Sequence, residues 1–165
     1  MIRSLRAVCM LTTLVPFVAS GQLRPISVTP DANGAAMITF AHRKVTHIPK
    51  ERGQTGIHEA VMAADGHSAG WLVDYHVQGV TDGVPETLVI WRDGRVARRF
   101  KTEQAFWSWA FVSKGARVAY HTGPLHGEQS SHCELREVKT GRLLAEWNGD
   151  LESSRKPAWV AALRH

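Results

Sequence analysis

The residues of this 165-residue chain best suited to chemistry lie in its second half: His121, His126, His132 and Glu134, with Cys133 between the last two. Neutral imidazole and carboxylate are good zinc ligands. Three of them, with a fourth position left open for water, would suit a metal-dependent hydrolase. The spacing is not diagnostic: HExxH and CxxC pairs are both absent, and nothing places two of these ligands on one helix. If the segment is a strand, alternation puts His132 and Glu134 on one face and turns Cys133 to the other. Solvent-facing or hydrogen-bonded loop histidines are the simpler explanation. Nucleophilic chemistry has less support, since Ser130-Ser131 is a loop run and Cys133, beside Leu135, fits a small buried hydrophobe. Asp74 and Asp82 could be an acid and a base, but Asp82-Gly83 is explained by a turn. No motif calls for a cofactor, and the reading favours a protein that is not an enzyme.

The elements that must position these groups are strands. Phe106 to Trp147 spells a four-strand unit: FWSWAFV, a Lys114-Gly115 turn, ARVAYHT, the loop TGPLHGEQS, SHCELREV, a Thr140-Gly141 turn, and RLLAEW. Ile57 to Phe100 repeats the order through Asp65-Gly66, SAGWLVDYHV, the loop QGVTDGVPE, TLVIW, Asp93-Gly94 and RVARRF. Gly66 and Gly115 are 49 residues apart, as are Trp71 and Tyr120; Gly94 and Gly141, and Phe100 and Trp147, are 47 apart. A period of this size marks an array of small sheets, none of which can bury both faces alone. TLVIW is continuously apolar, which suits a strand covered on both sides. Trp71, Val73, Tyr75 and Val77 share one face of their strand; Leu72, Asp74 and His76 take the other.

Ahead of these units, AAMITF and RKVTHI suggest a hairpin about Ala41-His42, followed by the charged loop PKERGQTG. Residues 22–34, with two prolines and a closing Asn33-Gly34, suggest an extended linker. Residues 1–21 have Arg3 and Arg6 before an apolar run from Ala7 to Ala19, then small residues: the pattern of a secretory signal peptide, too short to span a membrane. Its removal would also remove Cys9, leaving Cys133 unable to form an internal disulfide, and would lower the formal charge from +5 to +3. That balance is mild, and the basic residues scatter through hairpins, which argues against nucleic acid. A short helix after Pro157 could end the chain, docked by Trp159.

The turn glycines, the strand ends in Trp or Tyr, and WRDGRV and EVKTGRL resemble blades of WD-repeat-like and TolB-like β-propellers; AADGHSAGWLV is similar to their blade opening. The whole mature chain, over about Ala35 to Trp159, also resembles a set of small secreted bacterial proteins of unknown function with the same run from PKERGQTG to the HTG and LREVKTGRL segments. The resemblance implies an all-β, antiparallel domain over 35–165: two four-stranded blade-like sheets and an N-terminal hairpin, packed as an incomplete propeller or a sandwich. Fewer than about four blades cannot close a ring in one chain, so association of copies is one alternative to intramolecular packing. The two long loops occupy the same slot in their units and would share one side, where repeat proteins often bind. That face would carry Tyr75, His76, Asp82, His121, His126 and Glu128. The expected function is therefore a secreted or periplasmic binding or scaffolding module for a protein or small ligand, with the metal-dependent hydrolase as the alternative.

Overall fold

The computed structural model describes residues 24–126 and 131–163; the expected signal segment lies outside them. The described residues form eleven strands and no α-helix. Strands β1 (Pro25–Pro30), β2 (Ala36–Phe40) and β3 (Val45–Ile48) make the first sheet. The second contains β4 (Gln54–Met62), β5 (Ser68–Tyr75), β6 (Val84–Arg92) and β7 (Arg95–Lys101). The third contains β8 (Ala105–Val112), β9 (Arg117–Gly123), β10 (His132–Glu137) and β11 (Leu143–Trp147). Within each sheet every strand pairs antiparallel with its chain neighbour, so the described residues form three successive meanders.

The meanders stack face to face with the second in the middle. On β5 and β6, Trp71, Val73, Val89 and Trp91 point to the first sheet and pack with Val28, Ile38 and Phe40. Their alternate neighbours Leu72, Leu88 and Ile90 point to the third sheet and meet Phe106, Trp109, Val118 and Tyr120. Period-two alternation turns both sets inward because the middle sheet has a neighbour on each side. Truncating a buried aromatic such as Trp71 or Trp91 in such an interface costs about 3–5 kcal/mol. Trp71 and Tyr120 hold equivalent places in their units: each faces the preceding sheet.

Tight turns set these registers. Arg92 pairs with Arg95 across Asp93 (φ 50°) and Gly94 (φ 88°). Two successive left-handed residues match the twist of a two-residue hairpin, the reason Asp-Gly recurs there.

Two expectations change. Residues 22–34 are not simply a linker, because β1 lies within them and sets Val28 opposite Ile38. Its prolines, Pro25 and Pro30, sit at the two ends of an outer strand, where a missing N–H costs little in the ladder. The helix expected after Pro157 does not form; 157–163 is a run of turns with Val160 N–H bonded to Pro157 O at 2.9 Å. Val160 and Leu163 from this tail cover the outer face of the third sheet over Ala119, Cys133 and Leu135. The tail thus does for the third sheet what a further sheet would do.

Candidate functional site

The second and third sheets leave a cleft of about 460 Å3 between β7 and the β9–β10 pair, lined by Arg98, Phe100, Lys101, Tyr120, His132, Glu134 and Arg136 among others. Ladder pairing puts Tyr120 beside Glu134 and Thr122 beside His132, so these side chains share the face turned toward the second sheet. Glu134 is the hub. Tyr120 Oη–H and Arg136 Nε–H both donate to its Oε2, and Oε1 lies 3.1 Å from His132 Nε2. Arg136 is fixed further by a bond from Nη1 to Gly141 O at 3.0 Å, with its guanidinium carbon 5.9 Å from the Phe100 ring centre.

Charge follows from these contacts. Burial by itself would raise the Glu134 pKa, but hydrogen bonds from Arg136, Tyr120 and His132 outweigh it and hold the group below its ordinary 4.5. For His132 the hydrogen bond between Nδ1 and Asn148 Oδ1, at 2.6 Å, is the largest influence; with Glu134 it raises the pKa above 6.5. Tyr120 is pushed well above its ordinary 10, first by burial and then by the carboxylate it bonds.

The remaining charged side chains of the lining, Arg98, Arg99 and Lys101, are basic. Arg99 Nε–H donates to Glu51 at 2.6 Å, and Lys101 shares the same carboxylate at 3.1 Å. Arg98 donates to the carbonyl oxygens of Ala97 and Lys139, partners that carry no charge. It also lines a second hollow of about 630 Å3, with Arg92, Arg95 and Lys139.

Of the residues singled out in the sequence, His132 and Glu134 come together on one face. His121 pairs across the ladder with Cys133, which puts it on the opposite, tail-covered face, where it is buried. His126 is exposed in the loop after β9, and Glu128 lies outside the described residues. The four-ligand set His121, His126, His132 and Glu134 is therefore divided between the two faces of a sheet and a loop. Of the loop-face residues, His76 and Asp82 are exposed between β5 and β6. Tyr75 instead turns into the body, where its hydroxyl donates to Glu51 at 2.8 Å and burial pushes its pKa up to about 12. Cys133 is fully buried, and burial pushes its thiol up to about 11.

One further stretch, GHSAG at Gly66–Gly70, matches the GxSxG spacing of a serine-hydrolase elbow and is missing from the candidates above. Its surroundings explain it differently. An elbow needs an exposed serine on a strand-to-helix turn, whereas Ser68 is buried at the first position of β5 in an antiparallel hairpin. Its hydroxyl donates to Asp65 Oδ2 at 2.8 Å, while Asp65 Oδ1 accepts from the backbone of His67 and Ser68. The motif is a capped turn. Glu146, by contrast, was not marked by any motif, yet β11 sets it directly opposite Glu134.

No protein-family model matches this chain, and no curated protein matches it either.

Proposed function

We propose that this protein is a secreted, propeller-like binding module that takes a small anionic ligand in the cleft between its two four-stranded sheets and performs no chemistry on it. The observation that carries this reading is the charge of the cleft. Arg98, Arg99, Lys101 and Arg136 line it with one carboxylate, Glu134, and Arg98 bonds only to neutral carbonyls among the described residues. Guanidinium groups held in place suit planar carboxylate or phosphate. The β9–β10 loop, the stretch favoured by the repeat pattern, begins and ends beside Thr122 and His132 at the cleft. Secretion rests on the charge and apolar pattern of residues 1–21.

Calorimetric titration of the purified chain with inorganic phosphate and with citrate tests the reading. Saturable binding that weakens at least tenfold in Arg98→Gln, and falls with added salt, supports it. Binding that is absent, or is unchanged in that variant, overturns it.

A further inference from the structure

We infer that His132, Glu134 and Glu146 form a surface site for a divalent zinc-type ion. Each residue offers one ligand atom, and the three atoms lie within 4.8 Å of one another. The sheet builds the group from two rows. His132 and Glu134 are alternate residues of β10 and so share a face, and Glu146 of β11 stands opposite Glu134.

Three details orient the group toward a metal. The first is the ring of His132. Asn148 Oδ1, 2.6 Å from Nδ1, can accept the Nδ1 proton, so that a metal displacing the Nε2 proton now shared with Glu134 would find the Nε2 lone pair aimed at the carboxylates. A hydrogen bond of this kind on the far nitrogen is the usual support of a metal-bound histidine. The second is Glu134. Tyr120 and Arg136 occupy its Oε2, so Oε1 is the oxygen turned to His132, and the 3.1 Å between Oε1 and Nε2 suits two atoms bound about 2.0–2.2 Å from a common zinc.

The third is the opposition of Glu134 and Glu146. Like charges facing each other across a ladder are destabilising. Arg136 balances Glu134, but Glu146 has no ion pair among the described residues. A cation between them relieves that repulsion. One imidazole with two carboxylates favours zinc or its first-row neighbours over magnesium, which prefers oxygen alone and keeps its waters. Water would complete the coordination, since Glu146 is exposed and His132 is partly so.

The site needs no second ligand, so it is tested with zinc alone and holds or fails independently of the anion reading. The full chain is stripped with chelator and titrated calorimetrically with zinc chloride near neutral pH. One saturable zinc per chain is expected, not displaced by excess magnesium. Glu146→Gln, an exposed substitution that leaves the core untouched, and His132→Gln should each weaken it at least tenfold. Asn148→Ala, which removes only the support of the imidazole, should weaken it about tenfold. No saturable binding, or equal binding by wild type and the Glu146→Gln and His132→Gln variants, overturns the site.

Discussion

The indole of Trp109 on β8 occupies the space that a side chain would need at Gly70 on β5. A Cβ built on Gly70 would lie 2.5 Å from Trp109 Cη2 and 2.9 Å from Ile90 Cδ1. The indole N–H continues past the glycine to donate to Glu59 O at 3.1 Å, a carbonyl offered where β4 departs from its register between His58 and Val61. The middle sheet is thus notched to receive the third, and the notch lies in the cluster that holds them together.

Gly70→Ala is therefore expected to destabilise the fold by about 1–3 kcal/mol through overpacking. Urea unfolding followed by tryptophan fluorescence measures this. Adding Trp109→Leu to Gly70→Ala should cost less than the sum of the two single changes, because the smaller side chain makes room for the methyl. Strict additivity would show that the two residues do not meet.

The His132–Glu134 pair should leave a mark on the pH dependence of stability. His132 is raised above 6.5, so its contribution is full below that value and is lost as pH rises through the folded pKa. Glu134 is lowered below 4.5, so its contribution is full above that value and is lost as pH falls through the folded pKa. The two overlap between 4.5 and 6.5. In the presence of chelator, His132→Ala should therefore lose more stability at about pH 5.5 than at about pH 8.5. Equal losses at both would contradict the pairing.

Cys133 reports on the tail. Its thiol is fully buried on the face that Val160 and Leu163 cover, and burial pushes its pKa up to about 11. In the folded protein it should react slowly with a thiol reagent. Val160→Ala removes buried carbon at that contact and is expected to cost on the order of 2 kcal/mol and to speed the reaction. Modification at the wild-type rate in that variant would mean the tail does not shield the thiol.

Much of the fold was legible because strands advertise their faces. The unbroken TLVIW of β6 announced a strand covered on both sides, and Val89 and Trp91 do face one neighbour while Leu88 and Ile90 face the other. The strand β1 was harder to see. PISVTP carries prolines at both ends, and only the partner β2 makes its middle a ladder. At the site, the alternation of His132, Cys133 and Glu134 was readable, since it is a property of one strand. The facing of His121 was not. Between it and His132 runs a loop, and alternation cannot be carried through a loop; the register that sets His121 against Cys133 is formed by the ladder alone. Glu146 was hidden for a related reason, because a register shift between Leu135 and Arg136 decides which residue of β11 meets Glu134.

By itself, the amino-acid sequence determined the all-β character, the two equivalent four-strand units, the turns at Asp65-Gly66 and Asp93-Gly94, and the apolar faces that had to be buried. These follow from local preferences and from a two-residue period that every strand carries within its own length. The tertiary structure alone decided that the units stack with the Ile57-to-Phe100 unit in the middle, that Trp109 fills the notch at Gly70, and that His132, Glu134 and Glu146 meet while His121 does not. Those outcomes depend on registers between strands and on which faces find each other, quantities that exist only once separate segments of the chain are paired.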